Sequence, residues 1–212
     1  MNLNEGELLD SILSSLDKMD YIKTADIPNI DLYMDQVTTF IDSRLRAGAR
    51  NPGDDKILTK TMINNYAKND LLPPPIKKKY SKEHVLLLIF IYYYKNILSI
   101  NDIQTLLRPI TGQYFQQDGK VNLEQIYREV FSLEKGQVEA MKADVKDKYK
   151  IAAQTFEKVP EEEKAFLQKF AFICLMSFDV YVKKLIIEKM VDGLAAEEAA
   201  HSENNKEKKE QK

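Results

Sequence analysis

The stretch "KTMINNYAK", residues 60–68, sorts its side chains by chemistry when it is laid on a helix. At about 100° per residue, Met62, Ile63, Tyr66 and Ala67 fall on one arc, and Lys60, Thr61, Asn64, Asn65 and Lys68 on the other. The second arc carries cations, a hydroxyl and amides, and no acid. Lysine neutralises phosphate oxygens, and an asparagine amide offers the donor and acceptor pair that matches the major-groove edge of adenine. Asn64 and Asn65 are therefore the candidates for base contacts, with Lys60, Thr61 and Lys68 on flanking phosphates. This is the chemistry of holding a polyanion rather than of breaking bonds. An ordinary solvated helix face has a similar composition, so the surroundings decide.

The surroundings are basic. Residues 44–84 hold ten Lys or Arg against four acids, a local charge of +6, in a chain of 212 residues whose formal net charge is -2. Such asymmetry marks a surface suited to a polyanion. Directly after the helix comes "DLLPPPIKKKYSKEHV", residues 70–85. Pro73, Pro74 and Pro75 stop the helix and send the chain off in an extended direction. Lys77, Lys78 and Lys79 follow in a short exposed segment. They add three adjacent cations to the basic segment.

Helices must position these groups. Thr59 is a suitable N-cap for residues 60–68, and Ser81 for the next helix, "KEHVLLLIFIYYYKN". That helix is apolar on nearly every side, which predicts a central, buried position. "ILSINDIQTLL" starts a fourth helix at Ser99 or Asn101, with Ile103, Leu106 and Leu107 inward. Upstream, residues 30–46 read as a helix with Ile30, Met34, Val37, Ile41 and Leu45 inward. The polar loop "AGARNPGDDK" then breaks the pattern at Gly48, Pro52 and Gly53. Residues 4–19 repeat Leu8, Leu9, Ile12, Leu13 and Leu16 at helical spacing.

In the second half, residues 122–158 give a helical pattern with a weak point at Gly136. Its inward set is Ile126, Val130, Leu133, Val138, Met141, Val145, Tyr149, Ala152 and Phe156. Residues 161–194 form a long helix whose "FAFICLMSF" is too apolar to stand exposed, so it serves as bundle core, dimer interface or both. "AAEEAAHSENNKEKKEQK" lacks an apolar face and is expected to be disordered. With seven glycines and no hairpin-bounded strand pattern, the fold class is all-α. The segments are an N-terminal amphipathic helix over 1–25, a domain over 26–110, a C-terminal helical domain over 111–194 and the tail over 195–212.

Composition excludes other classes. A chain 44% hydrophobic and 30% charged reads as a soluble globular protein with a real core. Its one cysteine, Cys174, cannot form an internal disulfide, which fits a reducing compartment. No leader stands at the N-terminus, and the apolar runs fall short of the roughly 18 residues that a membrane helix needs. The cytoplasm is the expected location, with no membrane partner. Catalysis finds no support: there is no phosphate-cradling glycine loop, zinc spacing or nucleophile elbow. His84 opens a helix, His201 lies in the tail, and Glu161, Glu162 and Glu163 after Pro160 suit a helix start. The expectation is no enzyme, no metal and no cofactor.

The order of polar helix, basic elbow, buried helix and short helix resembles the winged helix-turn-helix domain of MerR-type transcription regulators. In that family the recognition helix reads T-L-R-Y-Y-E-x-x-G-L-L-x-P and is followed by a basic wing, then Y-S-x-x-D/H-L and a helix, then G-x-S-L-x-E-I-x-x-L-L. Ile63, Tyr66, Leu71, Leu72, Pro74, Tyr80, Ser81, Val85, Ile91, Ser99, Ile103 and Leu107 stand at its positions in the right order. The whole chain also resembles a bacterial family known only as a domain of unknown function, number 1836, itself considered MerR-like. Asn64 and Asn65 replace the family's arginine and first tyrosine, Asp70 its helix-ending glycine, and the "AGARNPGDDK" insertion separates a helix pair that is normally close.

The resemblance implies a MerR-like winged helix-turn-helix domain followed by a C-terminal helical bundle or dimerisation region. It implies a sequence-specific transcription regulator that binds double-stranded DNA as a homodimer through its C-terminal helices. The recognition helix would lie in the major groove, and Lys77, Lys78 and Lys79 would form the wing on phosphates. The family's metal sensors use clustered thiolates, which one cysteine does not make. Any effector expected is a small organic molecule in the C-terminal helices. The alternative is a protein-interaction module that keeps the fold without binding DNA.

Overall fold

A computed structural model describes residues 5–16, 21–49, 51, 53, 57–117 and 119–210. Among them the chain forms helices α1 Glu5–Leu16, α2 Met34–Leu45, α3 Lys60–Lys68, α4 Lys82–Tyr94, α5 Ile100–Tyr114, α6 Leu123–Ala153 and α7 Glu161–Glu210. Two-residue strands β1 Leu32–Tyr33 and β2 Lys79–Tyr80 pair antiparallel, Leu32 with Tyr80 and Tyr33 with Lys79. The all-α expectation holds apart from this ladder. No described helix is long and apolar enough to cross a membrane.

The chain divides into two compact units, residues 22–129 with 186–212, and residues 1–21 with 130–185. This division crosses the segments read from the sequence, because the start of α6 stays with the first unit. Tyr127, fully buried, donates from its hydroxyl to the Ile22 carbonyl at 2.7 Å. Lys82 of α4 pairs with Glu124 of α6 at 2.9 Å. Desolvation pushes the Glu124 carboxyl up, but the hydrogen bond and charge of Lys82, helped by Thr24 and Arg128, outweigh it and hold it below its ordinary pKa.

The core of the first unit is built on α4, in which every residue from His84 to Ile91 is buried. Val37, Ile41 and Leu45 of α2, Ile63 and Tyr66 of α3, and Ile103 and Leu107 of α5 complete it. Ile30, expected inward, is 67% exposed because α2 starts only at Met34, after β1. Of the predicted first helix, residue 4 and residues 17–19 lie outside the described residues, as does the Leu8 side chain. Leu13 is buried, but Ile12 is exposed.

In the second unit α6 runs through Gly136 without a break. One glycine costs about 1 kcal/mol in a helix, and the pairs Lys142–Glu139 and Lys148–Asp144 support the turns that follow. Leu133 and Met141 are exposed rather than inward, since α6 meets α7 along one side only: Lys148 bonds Asp179 at 2.7 Å, and Tyr149 meets Phe172 edge-on. Val130, also expected inward, is exposed, and so is Phe156, which lies beyond the end of α6 with φ 57°. The predicted disordered tail is instead helical to Glu210. Ala195, Ala196, Glu197, Glu198, Ala199 and Ala200 are strong helix formers, and in the first unit Arg108 holds Glu198 at 3.0 Å.

Both ends of α3 are closed by local chemistry. The Thr59 hydroxyl accepts the Met62 N–H at 3.1 Å, the predicted N-cap. At the other end the Leu71 N–H donates to the Tyr66 carbonyl at 2.9 Å and the Asp70 N–H to the Ala67 carbonyl at 3.4 Å. This is a Schellman closure, and Leu71 and Tyr66, at the positions of its usual apolar contact, are both buried. It requires a left-handed residue at Asp70, whose φ is 55°. Asp70 thus takes the conformation glycine adopts without steric cost. Asp70→Gly should raise unfolding stability by about 0.5–1 kcal/mol, net of the entropy glycine adds to the unfolded chain. Urea denaturation checks this; a loss of stability would mean that the Asp70 side chain contributes more than its backbone costs.

Candidate nucleic-acid interface

The three lysines after the prolines do not form an extended segment. The Ile76 N–H donates to the Lys79 carbonyl at 3.1 Å and the Lys79 N–H to the Ile76 carbonyl at 2.9 Å, closing a two-residue hairpin. Its central residues, Lys77 and Lys78, have φ of 50° and 64°. Both being positive makes this a type I′ turn, the geometry that asparagine and glycine favour. Two lysines here carry backbone strain and project their charges from the tip. β2 then continues into α4, while its partner β1 leads straight into α2, so the ladder ties the hairpin to the start of α2.

Asn64, Asn65, Thr61, Lys60 and Lys68 are all exposed on one side of α3, while Ile63 and Tyr66 are buried on the other. The predicted partition of the helix is therefore present. The lysines differ in their surroundings. Lys60 is ion-paired with Asp35 in the first turn of α2. Lys79 is half-buried, with its ammonium over the Tyr33 ring, 5.3 Å from the centroid. Through Tyr33 and Asp35, the hairpin base and the start of α3 both meet the beginning of α2. Lys68, Lys77 and Lys78 are exposed and have no ion-pair partner among the described residues.

Other cations of the basic segment are neutralised by acids from elsewhere in the chain. Arg46 forks onto Asp42 with bonds of 2.8 and 2.5 Å, and Arg44 lies 3.9 Å from Asp26. Asp26, Asp35 and Asp42 precede the segment and Glu124 follows it, so the local charge of +6 overstates the field at the surface. Arg50 and Lys56 lie outside the described residues. Lys95, at the end of α4, donates to the Ile57 carbonyl at 2.8 Å and so holds the approach to α3. Burial lowers its pKa. Sequence reasoning missed Tyr33, Asp35 and Lys95; their partners are distant in the chain, and no local pattern signals them.

His84 sits where the hairpin joins α4. The Ser81 N–H donates to its Nδ1 at 3.0 Å, and the ring is held edge-on between Tyr80 and Phe115. Nδ1 therefore accepts, and the neutral ring carries its proton on Nε2, which is buried without a hydrogen-bond partner. Burial lowers its pKa; the backbone of Pro74 and Pro73, which does not reach hydrogen-bond geometry with Nε2, and the charge of Asp31 pull the other way and do not outweigh it. Cys174, in the apolar stretch read as bundle core or dimer interface, is exposed in the single chain. No group of three or more potential metal ligands occurs among the described residues. A shallow open depression of about 390 Å³ lies over Pro28, Leu32 and Phe40, beside α2.

A family model described as Domain of unknown function (DUF1836) matches residues 22–130, slightly more than half of the chain. The chain belongs to this family. The DUF1836 match runs from the buried Ile22 into α6 and takes in the hairpin, α3 and the whole α4 core. No curated protein and no solved structure matches the chain.

Replacing Lys77–Lys78 of the DUF1836 hairpin with Asn-Gly should relieve the turn and stabilise the fold by about 1–2 kcal/mol. It also removes two cations, so heparin elution should move to lower salt while urea resistance rises. Parallel movement of the two would refute the separation of strain from charge. The unfolded His84 titrates near pH 6.5 and the folded one lower, so acidification protonates the unfolded chain first. Stability should fall as pH drops through about 6.5 and level off below the folded pKa. His84→Gln, which retains a glutamine suited to the capping position, should flatten the melting temperature between pH 7.5 and 5.5; an unchanged slope would place the titration elsewhere.

Proposed function

We propose that this chain is a DNA-binding transcription regulator of MerR-like winged helix-turn-helix type. In this reading α2 and α3 are the helix pair, α3 enters the major groove, and the Ile76–Lys79 hairpin is the wing. The observation that carries it is the acid-free outer face of α3, with Asn64, Asn65 and Lys68 exposed, on a chain that continues into a strained hairpin with Lys77 and Lys78 at its tip. The lysines would contact phosphates and the asparagines base edges. Lys60 and Lys79 would have a smaller share, because Asp35 and Tyr33 already engage them. The proposed role is non-catalytic and implies a cytoplasmic location and double-stranded DNA as partner. Any effector would be a small organic molecule.

The exposed lysines and asparagines predict different effects. Lys68, Lys77 and Lys78 to alanine should weaken binding to every duplex and reduce the slope of log affinity against log salt by about 0.9 for each phosphate no longer neutralised. Asn64→Ala or Asn65→Ala should change the sequences selected from a random duplex pool and leave the salt slope unchanged. Removing either amide should cost roughly 1–3 kcal/mol of discrimination between bases. Retention of the full chain on duplex DNA that does not respond to salt would overturn the reading. It would favour instead a protein-interaction module built on the same fold.

A further inference from the structure

The segment that carries the basic hairpin, residues 73–81, is gripped at both of its ends by one side chain. Where the segment leaves, His84 Nδ1 accepts the Ser81 N–H at 3.0 Å, and the Tyr80 ring stands edge-on to the imidazole with centroids 5.5 Å apart. Where it enters, the backbone of Pro73 and Pro74 faces the same imidazole. Phe115, beyond α5, closes over it edge-on at 4.8 Å. His84 is 1% exposed and is the one buried polar side chain among the described residues. The hairpin between these ends buries little: Ile76 is 59% exposed, and Lys77 and Lys78 are exposed with positive φ. Its hold on the first unit therefore concentrates at the neck and in the short ladder to β1.

A protonated ring does not fit this neck. Nδ1 becomes a donor that faces a second donor, the Ser81 N–H. The Ser81 hydroxyl, 2.8 Å from Nδ1, can turn to accept the new proton, but the Ser81 N–H is then left without its acceptor. Nε2 has no hydrogen-bond partner in either state to share the charge. The ionisable groups around the ring are Tyr80 on β2, Asp31 before β1, and Lys82 and Glu83 on its own helix. Lys82 pairs with Glu124 at 2.9 Å, and Glu83 accepts the Gln116 N–H at 2.5 Å. Asp31, which is exposed, is the charge that favours a cationic ring, and it draws the ring toward water. We propose that His84 is a proton-operated clasp: the neutral ring holds both ends of residues 73–81, and proton uptake releases the hairpin while α4 stays folded. Burial of Val85–Ile91 keeps α4 in place, and that burial does not depend on the charge of the ring. Lys77 and Lys78 then lose their fixed place relative to α3. As a control on DNA binding the clasp rests on the regulator reading; as a property of the fold it does not.

Amide hydrogen exchange of the full chain without DNA tests the clasp. The Ser81 N–H, bonded to His84, and the Lys79 N–H, bonded to the Ile76 carbonyl, report the neck and the hairpin, while Leu88 and Ile89 report unfolding of the core. An opened ring titrates near pH 6.5 and the closed one lower. Opening coupled to one proton therefore becomes about tenfold more frequent between pH 7.5 and 5.5. Corrected for intrinsic rates, the protection of Ser81 and Lys79 should fall by that factor. Because the opening is local, their protection should also lie at least roughly tenfold below that of Leu88 and Ile89 at each pH. His84→Gln should remove the pH dependence at Ser81 and Lys79; circular dichroism verifies that the variant folds, and the wild-type comparison stands without it. Hairpin protection that ignores pH, that equals the protection of Leu88 and Ile89, or that keeps its pH dependence in folded His84→Gln would overturn the clasp. The regulator reading fails by a separate result, duplex retention at pH 7.5 that does not respond to salt, which leaves the exchange data untouched.

Discussion

The first unit depends on the burial of α4. A helix apolar on every side is stable only when other elements enclose it, and from His84 to Ile91 every one of its residues is buried. Each fully buried leucine or isoleucine contributes roughly 1.5–3 kcal/mol, so this one helix determines how its neighbours pack. Both ends also carry parts of the candidate interface. At its start, Ser81 and His84 form the cap on which the Lys77–Lys78 hairpin rests. At its end, Lys95 holds the Ile57 carbonyl two residues before the Thr59 cap of α3. The polar face of α3 and the basic hairpin are thus tied to opposite ends of one buried rod.

Electrostatics limits what that arrangement can do. Four of the basic residues near α3 are answered by carboxylates: Arg44 by Asp26, Arg46 by Asp42, Lys60 by Asp35 and Lys82 by Glu124. Exposed pairs of this sort are individually worth little, with a median of about 0–1 kcal/mol, but they remove charge from the field that a polyanion would meet. Lys68 and the hairpin tip keep theirs. The tip does so at the expense of two positive φ angles, which a looser extended segment would have avoided. Backbone strain that coincides with exposed charge gives the hairpin a character distinct from the salt-bridged lysines around it.

Local features were legible in the sequence because they act over three or four residues. The caps at Thr59, Ser81 and Ser99, the division of α3 into two faces and the burial of α4 all follow from spacing and side-chain type. Asp70 could be seen to replace a glycine, though not to adopt its conformation. The closed hairpin is not legible from residue types, because Lys-Lys lacks the Asn-Gly signature of a type I′ turn. Ile30 was misplaced because β1 takes over the chain before α2 begins. In α6, Leu133 and Met141 have a helix's spacing but lie off the side that meets α7, and spacing cannot say how many neighbours a helix has.

The sequence by itself determined the helices, their caps and an acid-free polar face, since these rest on periodicity and on bonds between near neighbours. It also determined that α7 is apolar beyond what one neighbour requires. The tertiary structure decided which cations stay available, because Asp35 and Glu124 reach Lys60 and Lys82 only through the packing of separate helices. It decided too that the lysines stand on a closed hairpin, since the ladder from Leu32–Tyr33 to Lys79–Tyr80 joins segments far apart in the chain. Long-range pairing depends on which surfaces are brought into contact, and no local pattern of residue types records that.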